Sequence, residues 1–216
     1  MTVPIQASTS QAPPALRQPT GPVGSRILSF GSARGDLVVP NDDLVGPIDS
    51  SDEWIRQRTG IETRTRASAG ILALDLATDA SREAIAASGI DPSQIDLVIA
   101  ATISNVQTTP SLSAVLADRV GANPAAAYDS NAACAGFSYA LAQADALIRA
   151  GSAHYALVVG AEKLSDIVDP TDRTISFLLG DGAGAVVLGP AAAPGTPRRG
   201  RGSGGRAGDA AGMEAT

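Results

Sequence analysis

The hydrophobic residues of the chain fall into short continuous runs and into longer stretches with helical spacing. Continuous apolar runs over 95–102 (IDLVIAAT) and 155–160 (YALVVG) predict strands that are covered on both faces. Helical spacing that ends at a glycine predicts three helices, over 71–88, 111–120 and 134–150. Strands that alternate with helices in this way predict an α/β fold, with helices on the faces of a sheet.

Weaker patterns add further elements to this prediction. Shorter apolar runs predict strands over 26–30, 125–129, 175–179 and 184–188. The two glycines of residues 31–35 predict a turn directly after the first of these strands. A short helix that carries Trp54 is expected within 44–60.

The two ends of the chain differ in composition from the region between them. Residues 1–25 are rich in Pro, Gln, Ser, Thr and Ala, which predicts a disordered leader. Residues 191–216 lack periodicity and are basic, which predicts a disordered tail or one altered by truncation or a shifted reading frame. The α/β domain is therefore expected over 26–190.

Charge and composition argue against several classes of protein. The chain has 216 residues and a net charge of −6, whereas binding to nucleic acid phosphates needs a basic face. It has no run of about 18 apolar residues that could cross a membrane, and no secretory signal at its N-terminus. One cysteine permits no disulfide within the chain. These features favour a cytoplasmic protein that binds neither nucleic acid nor a membrane.

That single cysteine, Cys134, lies among Ala and Gly residues where a predicted strand turns into a predicted helix. The positive end of a helix dipole favours the thiolate, which is the nucleophilic form of cysteine. A lone cysteine can also be a small buried core residue. The small neighbours and the position at a turn favour a nucleophile here.

Five motifs follow one another in a fixed order along the chain. They are 51–61 (SDEWIRQRTGI), 132–137 (AACAGF), 155–162 (YALVVGAE), 169–173 (DPTDR) and 180–185 (GDGAGA). Together they resemble the β-ketoacyl-acyl-carrier-protein (ACP) synthases III, the thiolase-fold enzymes that start type II fatty acid synthesis. The resemblance spans 26–190 and implies a thiolase-like α/β fold, as the first (N-terminal) half of a duplicated α-β-α-β-α architecture.

The resemblance also implies a reaction. Cys134 would be acylated by an acyl-CoA primer, and decarboxylated malonyl-ACP would then attack the acyl group to give 3-oxoacyl-ACP, CO2 and CoA. In this family the condensing site is Cys-His-Asn, and this chain is expected to lack the second half that holds the His and Asn. The only histidine, His154, matches a variable family position and is not expected to be catalytic.

Four further residues receive roles from the resemblance. Trp54 and Arg58 lie four apart on one helix face, and such a pair binds CoA in the family, with the indole stacked on adenine. Arg173 corresponds to the guanidinium on the other side of the adenine. The alternative is a core tryptophan with two solvated arginines. Thr109 corresponds to a loop that lines the primer pocket of the partner in a homodimer.

Motif 180–185 (GDGAGA) lacks the G-x-G-x-x-G spacing of a dinucleotide site, so its glycines are expected to form a tight turn beside the nucleophile. The expected partners are acyl-CoA and the acyl carrier protein, and no metal or other cofactor is expected.

Two alternatives stay open. One is a related enzyme that primes a polyketide pathway, and the other is a non-catalytic protein, either a remnant or one half of a split pair. Acylation without condensation would favour the non-catalytic alternative.

Overall fold

The computed structural model describes residues 21–191, so most of the predicted leader and tail lies outside the described residues. The described helices are α1 (Asp42–Val45), α2 (Asp52–Thr59), α3 (Ala73–Ser88), α4 (Leu112–Val120) and α5 (Gly136–Arg149). The described strands are β1 (Ser25–Arg34), β2 (Leu37–Pro40), β3 (Thr63–Arg66), β4 (Ile95–Ala101), β5 (Ala126–Ser130), β6 (Tyr155–Lys163) and β7 (Asp181–Pro190). No helix within 21–191 is long and apolar enough to cross a membrane.

Five of the strands form one mixed sheet in the order β1-β7-β6-β4-β5. Strands β5, β4 and β6 are parallel, whereas β7 is antiparallel to both β6 and β1. Helix α4 connects β4 to β5, and α5 connects β5 to β6 on the other side of β4. The carboxyl ends of three parallel strands therefore meet at one edge of the sheet, and the turn into α5 starts there.

The sheet separates two hydrophobic cores, which makes the domain three layers deep. Helices α3 and α4 pack on one face through small side chains such as Ala77, Ala80 and Ala117. Helix α5 covers the opposite face with Ala140, Ala144 and Ile148. The strands between them are buried on both faces, which explains the continuous apolar runs of β4 and β6. The predicted α/β fold is confirmed.

A small second sheet, formed by β2 and β3, was not predicted. These antiparallel strands are short, and β3 (TRTR) contains no hydrophobic residue, so the sequence has no alternating pattern that would reveal them. They pack beside α1 and α2, around a separate cluster that includes Leu44, Ile55 and Phe177. This second unit carries Trp54.

The predicted turn over 31–35 is wrong for most of its length. Strand β1 continues to Arg34, and its residues pair with β7, with Gly31 opposite Ala185. Gly31 permits close packing rather than a turn, because a Cβ there would lie 2.3 Å from the carbonyl oxygen of Ala80 in α3. The chain turns at Gly35, whose N–H donates to the carbonyl of Asp181.

The predicted strand over 175–179 is also wrong. The segment forms turns in which the amides of Ile175 and Ser176 both donate to the carbonyl of Asp172. The carboxylate of Asp172 accepts further hydrogen bonds from the amide and hydroxyl of Thr174. Phe177 is the buried anchor of this segment and packs against Trp54. Phe177 therefore covers the α2 unit, and the segment does not extend the sheet.

Candidate active site

Cys134 lies in a tight turn between β5 and α5, as the sequence predicted. A single 3-10 turn, Ala133–Ala135, leads directly into α5, and the Cys134 side chain is exposed. Ala133 has a positive φ of 45°, a left-handed conformation that residues with a side chain seldom adopt. Strain of this kind is found mainly at functional sites, where the surrounding structure holds it in place.

Gly136 allows the first turn of α5 to lie directly against the end of β4. A Cβ at this position would come within 3.1 Å of the Ala101 Cβ and 3.5 Å of the Ser130 carbonyl oxygen. This close approach keeps Cys134 at the carboxyl ends of the parallel strands. In open α/β sheets, that edge is where ligands usually bind.

A cavity of about 330 Å³ opens beside Cys134. It is lined by Ala101, Ala133, Cys134, Phe137, Gly160, Ala161, Glu162, Gly182, Ala183 and Gly184. Small residues from β6 and β7 keep the cavity open, and a Cβ on Gly184 would meet nothing within 4 Å. The arrangement provides room for a small apolar group next to the thiol.

Glu162 is an acidic side chain in the lining of this cavity. Its Oε1 accepts a hydrogen bond from the Ile103 amide at 2.9 Å, and its Oε2 accepts one from the Ser104 amide at 3.0 Å. The hydroxyls of Ser104 and Thr102 also donate to Oε2. The carboxylate thus binds the chain where it leaves β4.

The second predicted group of residues, Trp54, Arg58 and Arg173, is brought together by the fold. The Arg58 guanidinium carbon lies 4.2 Å from the centre of the Trp54 ring, and that of Arg173 lies 5.5 Å away. Phe177 contacts the indole edge-on, with the ring centroids 5.3 Å apart. Trp54 is half-buried, so the indole combines a packed edge with cationic neighbours.

Local capping fixes the elements that carry these three side chains. Ser51 caps α2 by accepting a hydrogen bond from the Trp54 amide at 3.1 Å, and α2 ends at Gly60 in a left-handed conformation. On the Arg173 side, the hydroxyl and then the amide of Thr171 lower the pKa of Asp169. The ionised carboxylate holds the turn that precedes Arg173.

Known proteins similar to this chain are named after one kind of enzyme. A family model for 3-oxoacyl-[acyl-carrier-protein (ACP)] synthase III matches residues 128–199. The β-ketoacyl-ACP synthase III of Kocuria rhizophila is 55% identical over 171 residues, which cover 79% of this chain and 48% of that protein. The synthase III of Tropheryma whipplei (strain Twist) is 54% identical over 164 residues, covering 76% and 51%. This chain is similar in sequence to the β-ketoacyl-ACP synthases III. It spans about half the length of the curated synthases that it matches.

Solved structures extend the relationship to the synthase III fold. The priming β-ketosynthase of the R1128 polyketide pathway superimposes with a TM-score of 0.79 at 42% identity, covering 84% of this chain and 54% of that one. The 3-oxoacyl-ACP synthase III of Aquifex aeolicus VF5 superimposes with a TM-score of 0.75 at 41% identity, covering 78% and 54%. The predicted synthase III resemblance and thiolase-like fold are thereby confirmed. The roles of the individual residues stay predictions.

Thr109 and His154, the other two residues discussed from the sequence, lie apart from the Cys134 cavity. Thr109 is exposed in the loop between β4 and α4, where its carbonyl accepts a hydrogen bond from Gln107, and it does not line the cavity. His154 is exposed just before β6, and its amide donates to Asp96 at 2.7 Å. Because Cys134 lies at the carboxyl end of the parallel strands, His154 is at the opposite edge of the sheet.

The synthase III motif over 180–185 forms part of β7, so the predicted tight turn is wrong. Its residues pair with β1 and β6, and Gly182 and Gly184 line the Cys134 cavity. The expectation that these glycines lie beside the nucleophile is correct. Their lack of side chains leaves space in the cavity without requiring a turn.

Two carboxylates that receive no role from the sequence accept several hydrogen bonds in the structure, Glu162 in the cavity lining and Asp181 at the start of β7. Glu162 is the last residue of motif 155–162 and lines the Cys134 cavity. Asp181 is buried and accepts hydrogen bonds from the Ala67 amide at 2.8 Å and from the amide and hydroxyl of Ser165. A polar residue next to a continuous buried strand was the available signal, since buried carboxylates need several donors.

Proposed function

We propose that this chain provides the nucleophile and the CoA-binding residues of an acyltransferase that starts fatty acid chains. The observation that carries the proposal is the exposed Cys134 thiol, held in a strained turn beside a cavity lined by small residues. The thiolate sulfur attacks the thioester carbonyl of an acyl-CoA, the carbon–sulfur bond to CoA breaks, and CoA leaves as its thiolate. The thiolate and the thioester supply this chemistry, so no metal or other cofactor is required.

Trp54, Arg58 and Arg173 are proposed to bind the nucleotide end of CoA. A flat indole with two guanidinium groups nearby offers a stacking surface for adenine and positive charge for phosphates. Arg58 lies over the indole, so adenine stacking on Trp54 would require the guanidinium to move aside toward a phosphate. Half-burial of Trp54 against Phe177 keeps the indole in place for this role.

The second substrate is proposed to be malonyl-ACP, which makes an acyl carrier protein the macromolecular partner. Loss of CO2 leaves a carbanion that attacks the acyl–Cys134 carbonyl, and cleavage of the bond to Cys134 releases 3-oxoacyl-ACP. The oxyanions formed at each step need preorganised donors, and the Cys134 amide is proposed as one. Histidine and asparagine groups that assist condensation in the family are not matched within this sequence.

The proposed setting is a cytoplasmic homodimer. Strand β5 is an edge strand of the main sheet, and an edge can pair with the same strand of a second copy. The loop that carries Thr109 lies between β4 and α4, and α4 leads into β5. Thr109 could therefore reach the primer pocket of the partner from that side of the molecule.

A priming role in a polyketide pathway is the second candidate function. The observation in its favour is the R1128 priming β-ketosynthase, which matches at 42% identity with a TM-score of 0.79. Both candidates use the same Cys134 acylation and differ in the primer and in the carrier protein that supplies malonyl groups.

A coupled assay tests the proposed function. The chain is mixed with acetyl-CoA, release of the CoA thiol is followed, and malonyl-ACP is then added to detect 3-oxoacyl-ACP. We expect stoichiometric CoA release by the chain, none by Cys134→Ala, and condensation when a complementary half from a synthase III relative is supplied. Equal CoA release by Cys134→Ala would overturn the assignment of the nucleophile.

A further inference from the structure

The segment that leaves β4 is held to β6 by one side chain. Strands β4 and β6 pair as far as Ala101 and Gly160, and beyond that point the ladder between them ends. The next backbone donors, the Ile103 and Ser104 amides, are taken up by the two carboxylate oxygens of Glu162. Glu162 thus replaces the missing strand partner.

Side-chain donors complete this connection. The buried hydroxyls of Thr102 and Ser104 also donate to Glu162, and the Ser104 oxygen in turn accepts a hydrogen bond from the Lys163 amide at 2.8 Å. A carboxylate accepts several hydrogen bonds on two oxygens, whereas an amide side chain has only one acceptor oxygen. The geometry therefore requires a carboxylate.

The far end of the same loop is anchored independently. The carboxylate of Asp129, in β5, accepts hydrogen bonds from the Leu112 and Ser113 amides at 2.8 Å each, at the start of α4. Between these two anchors the chain is exposed and carries Thr109. The position of this stretch is therefore set by Glu162 at one end and Asp129 at the other.

From this geometry we propose that Glu162 is a positioning residue that determines which acyl groups Cys134 accepts. Glu162 lines the cavity beside Cys134 and fixes the start of the loop over 102–110. That loop is proposed to reach the primer pocket of the second copy in the dimer, so Glu162 contacts both elements that would shape a primer pocket. This inference rests on the proposed function for its substrate, an acyl-CoA. It assigns Glu162 no contact with the reacting atoms.

The test combines two readouts on Glu162→Gln. Hydrogen exchange followed by mass spectrometry reports protection of the Ile103 and Ser104 amides. Single-turnover acylation of Cys134 by acetyl-CoA and by isobutyryl-CoA reports the preference for primer size. We expect exchange at the two amides to accelerate about tenfold or more, as for loss of hydrogen bonds to a charged acceptor, and the ratio of the two acylation rates to change severalfold.

Glu83→Gln is the matched control, because Glu83 accepts a backbone hydrogen bond from Ser32 at 2.7 Å on the α3 face of the sheet, away from the cavity. It should alter neither readout. Ser104→Ala keeps the carboxylate of Glu162 and should change both readouts in the same direction but by less. It serves as the test variant if Glu162→Gln folds poorly.

Three outcomes would count against parts of this account in different ways. Unchanged exchange at the two amides in Glu162→Gln would overturn the anchoring role. Faster exchange with an unchanged rate ratio would overturn the link to primer selection. Failure of the wild-type chain to be acylated by either CoA ester would instead contradict the proposed function, while the exchange result would still decide the anchoring role.

Discussion

Arg58 and Arg56 show how closely spaced residues on one short helix can serve different purposes. Arg58 lies over the Trp54 ring, whereas Arg56 forms ion pairs with Asp52 and Glu62 at 2.8 and 2.7 Å. Both arginines are exposed, and exposed ion pairs such as those of Arg56 contribute little to stability. The difference between them should therefore be visible in ligand binding.

The first prediction uses Trp54 as a probe, since it is the only tryptophan in the chain. Arg58→Ala should weaken CoA binding about tenfold, because it removes a cation that contacts the indole and can pair with phosphate. Titration with CoA, followed by Trp54 fluorescence, measures the dissociation constant. Arg56→Ala is the control and should bind CoA as the wild type does; equal weakening in both variants would remove Arg58 from the nucleotide site.

At the scale of single elements, a glycine within a strand can either permit close packing of two backbones or simply leave open space. Gly31 and Gly184 both lie within strands of the main sheet, but only Gly31 lies against a helix. A Cβ on Gly31 would overlap the backbone of α3, with contacts of 2.3 Å to the Ala80 oxygen and 2.5 Å to the Ala84 nitrogen.

Gly31→Ala should lower the free energy of unfolding by about 1–3 kcal/mol, the usual cost of overpacking, because neither backbone can move aside easily. Gly184→Ala is the matched control in open space and should change stability by less than about 1 kcal/mol. Chemical denaturation of both variants measures the two values. Similar stability of the two would mean that α3 does not pack closely on β1.

The acidic N-terminus of α2 gives a prediction about pH. The hydrogen bond from Arg56, followed by that from Asn41, holds the pKa of Asp52 below its usual range. A lowered folded-state pKa stabilises the protein above the unfolded value of about 4, and this stabilisation is lost as the pH falls through the folded value. Asp52→Asn should therefore reduce the loss of stability between about pH 5 and pH 3.

Denaturation with urea at the two pH values measures this difference. Asp79→Asn, at an exposed position on α3, controls for the change in net charge. If both variants lose as much stability as the wild type on acidification, Asp52 has no special part in holding α2.

Individual elements also show which parts of the fold can be predicted from the sequence and which cannot. Helices α3 and α4 were predicted because apolar spacing and a final glycine coincide, at Gly89 and Gly121. The turn predicted at Gly31 is wrong because the sequence alone does not distinguish a glycine that lets a helix pack closely from a glycine that forms a turn. Residues 175–179 were misinterpreted because Phe177 is buried by α2, a contact that only the tertiary structure establishes. Cys134 could be found from its small neighbours, whereas the role of Glu162 depends on donors some 60 residues earlier in the chain.

For the whole molecule, the exposed apolar residues are the feature with the clearest consequence. Phe30 is 78% exposed and Ile27 is 56% exposed on β1, at the end of the sheet where α5 makes few contacts. Large exposed apolar groups mark surfaces that associate with other molecules. The notable exposure of two such side chains on one strand predicts that the chain does not remain a monomer by itself.

Sedimentation velocity over a range of micromolar concentrations tests this prediction. We expect the chain to self-associate, and Phe30→Arg to shift the equilibrium toward the monomer, because a charge on this surface opposes apolar contact. Arg26→Ala, on the same strand, is a control that leaves both apolar side chains in place. A monomer at all concentrations, with a cooperative thermal transition, would contradict the prediction.

The role of Cys134 as the nucleophile is tested most simply by the mass of its peptide after the chain has been incubated with acetyl-CoA. We expect one acetyl group per chain, located on Cys134 by peptide fragmentation, labile to hydroxylamine as a thioester, and absent from Cys134→Ala. An unmodified Cys134 peptide under conditions in which the folded chain binds CoA would contradict the assignment of Cys134 as the nucleophile.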